Sequence, residues 1–210
     1  ANNPGNPTPG VVKVRPDGEN LYTDVRTDYY LRNTSLSDLK KVMLGDATAE
    51  TPSVLGSNAN SNVIVFWCGH GNRNRLAWGS NSQVSGEEVR DIVQQMSEQH
   101  RYRKLFFVMD ACYSGTIGEA CEGIPGLLMM TAANANETSK ADIFDYTLNI
   151  WLSNGFTRAF QECIDENVDM NLRDLYYRLS LHTTGSHATV YNAAQYGNMF
   201  RQTMREWLDK

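Results

Sequence analysis

The sequence predicts an α/β sandwich in which a mostly parallel sheet lies between layers of helix, and three observations lead there. Val63 to Cys68 and Leu105 to Met109 are unbroken apolar runs of strand length, rich in β-branched and aromatic residues, as buried strands are. Between them Val89, Ile92, Val93 and Met96 repeat at helical spacing. Beyond them, helical and strand-like patterns keep alternating to the end of the chain, as in sheets whose parallel strands are joined by crossover helices.

The first thirty residues are rich in turns. Asn6-Pro7-Thr8-Pro9-Gly10 is followed by Val11 to Val14, short enough for a hairpin arm with Asp17-Gly18 as its turn. Leu36, Leu39, Val42 and Met43 then mark a helix that Ser35 and Asp38 open as a capping box and Gly45 stops. Ser85 and Glu88 open the next helix in the same way. Gly126 to Thr131 is a weaker third strand. Helical patterns follow at about Asn154 to Ile164 and Leu172 to Leu181, then a strand-like Ala188 to Tyr191 and a final helix from about Met199 to Leu208. No repeat and no long linker interrupts this series, so residues 1–210 are expected to form one domain.

Composition narrows the function classes. The 210 residues are 41% hydrophobic and 20% charged, with a net charge of −5, so the chain can bury a sizeable core. That charge is too low for intrinsic disorder, and 16 glycines with 6 prolines are too few for low complexity. The longest apolar run, Val63 to Cys68, is far short of a membrane span. The acidic balance argues against nucleic acid as the main partner. The one basic cluster, Arg101-Tyr102-Arg103-Lys104, reads as a solvated corner before a strand. No charged-then-apolar leader starts at Ala1, so a signal peptide is expected to be absent or already removed. Four cysteines, Cys68, Cys112, Cys121 and Cys163, contain no C-x-x-C pair and give no disulfide framework. At most one bridge is expected, with Cys121 and Cys163 the best candidates.

The chemistry concentrates where two strands end. Ligands of open parallel sheets bind beyond the carboxyl ends of the strands. The first apolar run continues into Cys68-Gly69-His70-Gly71, the second into Asp110-Ala111-Cys112-Tyr113-Ser114-Gly115. If the two strands are neighbours, His70 and Cys112 share one rim and can serve as general acid/base and nucleophile. Singly, each has a plainer reading: a small buried thiol or a structural histidine. A zinc site from Cys68, His70 and Cys112 is a competing reading, but a full ligand set is not evident. No metal or cofactor is therefore expected. Cys68, on the strand side, is expected in the core. His182 and His187 are expected to hold a strand end, and His100 to be solvated.

These motifs carry a resemblance. G-H-G after one strand and D-A-C-Y-S-G after the next are similar to the catalytic motifs of the legumain (asparaginyl endopeptidase) family of caspase-like cysteine peptidases. The likeness extends along the chain. Asn6-Pro-Thr-Pro-Gly10, Val42-Met-Leu-Gly-Asp-Ala47, Tyr102-Arg-Lys104 and Thr131-Ala-Ala-Asn134 resemble family segments in order. So do Glu137-Thr138-Ser139, His182-Thr183, Ser186-His187 and Gln195-Tyr-Gly-Asn198. The resemblance implies a caspase-like three-layer sandwich and a peptidase cleaving after Asn, or Asp, through an acyl-enzyme. It puts Cys112 on the nucleophile, His70 on the catalytic histidine and Gly71 in the oxyanion hole with the Cys112 N–H. Asp110, Thr138, Ser139 and Asp145 fall on positions of the S1 pocket, with Asp and Thr where the family has Glu and Ser. It implies a peptide or protein substrate and an exported compartment: secreted, periplasmic or lysosome-like.

The chain also departs from the family. The strand–helix–strand unit that precedes Asn6-Pro-Thr-Pro-Gly10 in legumains, with its orienting asparagine and S1 arginine, has no counterpart here. That piece is expected on a companion chain, separated by a cut before Ala1. The prodomain that follows the peptidase in animal and plant legumains has no counterpart either. Gly69 stands where legumains carry aspartate, as in caspases, clostripain-type peptidases and the transamidase relatives; the resemblance is taken as that of a bacterial-type legumain relative. Two further functions compete: a transamidase or peptide ligase of the GPI-transamidase type, and a non-catalytic caspase-like binding module.

Overall fold

A computed structural model describes residues 5–79 and 81–208 of the chain. After a 3-10 turn at Leu31–Asn33, α1 (Leu36–Leu44) is opened by the Ser35–Asp38 capping box and closed by Gly45. Gly45 takes a left-handed φ of 74°, which glycine adopts without a Cβ penalty. β1 (Asn62–Cys68) leads into a small antiparallel sheet of β2 (Gly71–Asn72), β3 (Arg75–Trp78) and β4 (Ser82–Ser85). α2 (Gly86–Glu98) begins on the Ser85–Glu88 capping box, with both reciprocal bonds formed. Losing such a cap typically costs about 1 kcal/mol. Ser85→Ala is therefore expected to lower the unfolding free energy by about that amount, read from denaturant midpoints.

β5 (Lys104–Asp110), α3 (Gly115–Ala120) and β6 (Leu127–Thr131) follow, then a hairpin of β7 (Ala141–Asp145) and β8 (Ile150–Asn154). α4 (Gly155–Glu166), α5 (Leu172–His182), β9 (Thr189–Tyr191), α6 (Ala193–Tyr196) and α7 (Arg205–Leu208) complete the order. The central sheet runs β1-β5-β6-β9. β1, β5 and β6 are parallel, and β9 closes one side antiparallel to β6.

Side-chain alternation along β5 builds the two cores. Leu105, Phe107 and Met109 face α2, packing with Val89, Val93 and Met96. Phe106 and Val108 face α4 and α5, packing with Phe156, Leu172, Leu175 and Leu179. A fully buried side chain of this size contributes about 1.5–3 kcal/mol, so β5 and β6, buried along nearly their whole length, anchor the molecule. The same alternation turns Asp110, next after Val108 and Met109, towards the α4 side.

The sequence expectations hold for the alternating core elements and fail elsewhere. Val11 to Val14 forms no strand; a turn at Arg15–Gly18 and a bond from Leu21 N–H to Val12 O (2.8 Å) fold the segment back irregularly. The final helix is cut to Arg205–Leu208, because Thr203 bridges to Asn171 and Leu172 N–H binds Gln202 O (3.1 Å), drawing the preceding residues alongside α5. Cys121 and Cys163, the best candidates for a single bridge, are free and lie in cores on opposite faces of the sheet, in keeping with the absence of a disulfide framework. The basic corner is structural rather than simply solvated. Arg101 binds Leu55 O at 2.5 Å, Tyr102 is buried, Arg103 grips Asn62 Oδ1 from two nitrogens, and Lys104 binds Tyr196 O.

β1 pairs only with β5 among the described residues, leaving its other edge without a strand. Phe66 on it is 41% exposed, although its ring packs against Phe160. No helix among the described residues is long and apolar enough to cross a membrane.

Candidate active site

The parallel register brings the ends of β1 and β5 level, with Cys68 opposite Asp110. The Gly69 N–H donates to Asp110 O at 3.1 Å, extending the ladder one residue beyond the strand. The His70 carbonyl accepts from Ala77 N–H at 2.9 Å, so the small sheet fixes the backbone that carries the imidazole.

On β5 the chain leaves the sheet through Ala111 and Cys112 and turns sharply. Tyr113 has a φ of 57°, unusual for a bulky residue. Its N–H donates to Glu137 O at 2.8 Å and its ring lies under the Arg73 guanidinium, 5.1 Å from the centroid, contacts that hold the turn. Strained residues held in this way cluster at functional sites. Among the described residues the Cys112 N–H has no hydrogen-bond acceptor, which leaves it available to a developing oxyanion. Gly71 is packed so closely that a Cβ on it would stand 2.3 Å from the Cys112 carbonyl oxygen. Only glycine fits there.

Gly69, His70, Asp110, Cys112, Ser139, Ala141 and Asn154 line one cleft of about 320 Å³. The Cys112 thiol lies 3.7 Å from the Ser139 carbonyl, within hydrogen-bond reach for sulfur. One wall comes from the β7–β8 hairpin, whose Ala141 and Asn154 are paired across its base. That base is fixed to α4. Burial opposes the charged form of Asp142, but bonds from Arg158 (2.7 Å), the Ile143 N–H and Thr184 outweigh it and hold the carboxyl below its ordinary value.

The residues expected at the S1 pocket are placed differently from one another. Ser139 faces the cleft, with its hydroxyl donating to Asp110 at 2.7 Å. Asp110 is fully buried, and its other carboxylate oxygen accepts from the Thr157 hydroxyl at 2.6 Å and the Thr157 N–H at 3.2 Å. The Thr138 hydroxyl accepts from the Lys140 ammonium at 2.6 Å. Asp145 stands at the far end of β7, where one oxygen accepts from the Thr147 and Leu148 N–H groups. His70, Asp110, Cys112 and Ser139 therefore converge, and Asp145 does not join them.

Cys68 is exposed at the strand end rather than in the core. Burial of the sulfur and the nearby Asp110 carboxylate push its thiol up. Among the described residues no group of three His, Cys, Asp or Glu side chains is arranged to hold a metal ion, so Cys68, His70 and Cys112 do not form the alternative ligand set. His187 ties the loop before β9 to Glu137 at 2.9 Å, in keeping with a strand-holding role. Thr157 and Asn154 carry no site motif in the sequence. Asn154 carries a local helix-start signal, but no spacing in the sequence places α4 against Asp110.

The sequence matches the Peptidase C13 family over residues 1–204. The chain belongs to that family. Among its curated relatives, the legumain of Rattus norvegicus is 29% identical over 209 residues, covering 98% of this chain and 47% of that protein. The vacuolar-processing enzyme delta-isozyme of Arabidopsis thaliana is 28% identical over 138 residues, 64% of this chain and 30% of that protein. The GPI-anchor transamidase of Saccharomyces cerevisiae is 27% identical over 176 residues, 81% of this chain and 43% of that protein. The chain thus spans about half the length, or less, of the curated relatives it matches. The crystal structure of caspase-1 from Spodoptera frugiperda superposes with a TM-score of 0.51 at 11% identity, over 76% of this chain and 68% of that one. The fold is therefore caspase-like, with a parallel-cored sheet between helical layers, as the sequence predicts. The matching family is described as a peptidase family, and a transamidase is among the chain's relatives.

Proposed function

We propose that this C13 chain is a cysteine endopeptidase that hydrolyses peptide bonds after Asn, or Asp, through a Cys112/His70 pair and an acyl-enzyme. The observation that carries the reading is the single cleft shared by His70 and Cys112 at the carboxyl ends of two parallel strands. The Cys112 sulfur attacks the scissile carbonyl and forms a thioester by way of a tetrahedral oxyanion. The Cys112 and Gly71 N–H groups stabilise that charge, and His70 gives the leaving amine its proton. Water then attacks the thioester and releases the acid. An ordinary thiol, with a pKa of about 8.5, is only a few per cent thiolate at neutral pH, so the site gains from any contact that favours the ion.

Preference for Asn rests on the resemblance at Asp110, Thr138, Ser139 and Asp145, of which Asp110 and Ser139 line the cleft. Peptides with Asn, Asp, Arg or Lys at P1 separate the readings. Turnover of the Asn and Asp peptides alone is expected, and cleavage after Arg or Lys would overturn the assigned specificity. A second reading, transamidation, draws support from the transamidase relative. The same thioester would then pass to an amine, so added hydroxylamine would divert product from acid to hydroxamate.

The open side of β1 supports a companion segment. A seven-residue apolar strand edge exposes unpaired backbone groups that stable proteins normally cover. We infer that an extended segment of the same precursor pairs there. Denaturing mass spectrometry of the protein isolated from its natural source is expected to show a second peptide or a longer chain.

A further inference from the structure

We propose that Arg73 determines specificity on the leaving-group side of the scissile bond, where its guanidinium takes a substrate carboxylate. The inference rests on the peptidase reading of the cleft. It adds to that reading a preference for a carboxylate within three residues after the cut, on a side chain or at the chain end.

The turn that carries Arg73 is docked on the nucleophile turn at two points. Arg73 lies between β2 and β3, three residues after His70. Its neighbour Asn74 donates its N–H to the Thr116 hydroxyl at 2.8 Å, and that hydroxyl donates to Tyr113 O at 2.7 Å. The Arg73 side chain lies over the Tyr113 ring, and its Nη1 donates to Ala135 O (3.4 Å) and Asn136 Oδ1 (3.2 Å). The guanidinium is therefore fixed beside the residue that follows Cys112, although Arg73 is exposed.

The same guanidinium is open to a ligand. Among the described residues no carboxylate pairs with it. Carboxylates on the neighbouring segments are engaged elsewhere: Glu87 holds the Asn74 amide at 2.9 Å, and Glu137 holds Asn134 N–H and His187. Nε and Nη2 of Arg73 make no hydrogen bond among the described residues. That edge fits a carboxylate with two parallel bonds, and a guanidinium keeps its charge at every working pH.

The direction of the substrate follows from the chemistry. Asp110 and Ser139 line the cleft that takes the residue before the scissile bond, and His70 protonates the amine that leaves. The peptide beyond the bond therefore runs out on the His70 side. β2 leads from His70 to Arg73, and three residues of strand span about 10 Å. The first three residues after the bond cover the same distance. Tyr113 and Arg73 do not line the cleft, so they meet this outgoing chain and not the P1 side chain.

The test places Glu, Gln or Lys at each of the first three positions after Asn in one peptide, with free-acid and amide ends. It compares the parent with Arg73→Gln and Arg73→Glu. Ratios of kcat/KM are read, because losing the Tyr113 contact shifts all the rates of a variant together. The parent is expected to favour Glu over Gln by about threefold to fivefold at one position, the gain of an exposed ion pair. That preference is expected to vanish in 1 M salt, where the screening length is about 3 Å. Arg73→Gln should abolish it, and Arg73→Glu should favour Lys instead. A preference present in amidated peptides assigns an acidic side chain, and one confined to free acids assigns the chain end. Should neither variant fold, the parent's own preference and its loss in salt carry the test.

A second probe needs no peptide. Iodoacetate and iodoacetamide both alkylate Cys112 by letting sulfur displace iodide from carbon, and they differ in charge. The thiolate fraction cancels in the ratio of their rates at Cys112. That ratio is expected to fall at least about threefold from the parent to Arg73→Glu. In an enzyme that cleaves peptides, equal peptide ratios in the parent and Arg73→Glu would overturn the inference; in one that cleaves none, equal alkylation ratios would do so. A parent that cleaves no peptide yet shows the shift in alkylation sinks the peptidase reading and keeps the anion preference of Arg73.

Discussion

Cys112→Ala is expected to abolish turnover of every peptide the parent cleaves, with a fall of at least ~10³-fold, since the acyl-enzyme cannot form without the nucleophile. Three other thiols provide internal controls. Cys121 is fully buried, and desolvation pushes its thiol up to about 12. Cys163 is raised by burial as well. Cys68 is raised by burial of its sulfur and by the Asp110 carboxylate, despite its place at the rim. A raised pKa keeps the neutral thiol as pH rises, and the neutral thiol is the poor nucleophile. Near pH 7.5 iodoacetamide is therefore expected to label one site first, Cys112, and labelling should track loss of activity one for one. Cys68→Ala should leave labelling of Cys112 intact. If Cys112→Ala still turned over substrate while Cys68→Ala did not, the nucleophile would have been placed on the wrong strand.

Much of the geometry behind that result was legible in the sequence, for a physical reason. Leu105 to Met109 is a continuous apolar run because a central parallel strand is covered on both faces, and Val63 to Cys68 carries the same pattern although, as an edge strand, it is only partly buried. Once they are neighbours, the residues just past their ends must share a rim, and His70 and Cys112 follow. Capping boxes at Ser35 and Ser85 were readable because their partners lie three residues away. What could not be read depends on contacts between distant segments. The β7–β8 hairpin is a weakly patterned strand pair, anchored by Asp142 to Arg158 and Thr184. Asp110 meets Thr157, 47 positions further along the chain, and no period or spacing encodes that pairing. The Arg101–Lys104 corner is hidden for the same reason: its partners at Leu55, Asn62 and Tyr196 are far away in sequence.

Gly71→Ala is expected to match Cys112→Ala in consequence while acting through geometry alone. The added Cβ would meet the Cys112 carbonyl oxygen at 2.3 Å and the Ala111 Cβ at 3.1 Å. Neither is the far end of a flexible side chain, so no rotamer change relieves the clash. Either β2 must move away from the nucleophile turn or Cys112 must shift, and each course spoils the alignment of thiol, imidazole and oxyanion donors. A displacement of about 1 Å is enough to cost around 10²-fold in rate. The matching control is Gly69→Ala, two residues earlier on the same loop, where a Cβ meets nothing within 4 Å. Thermal melting and kcat/KM on an Asn peptide separate the two effects. Gly69→Ala should keep both near the parent values. Gly71→Ala should lose at least about 10²-fold in kcat/KM and more than the few tenths of a kcal/mol expected of a tolerated surface change. Full activity in Gly71→Ala would mean that the contact between the histidine loop and the nucleophile turn is loose, and that the close approach of Gly71 to Cys112 has no part in catalysis.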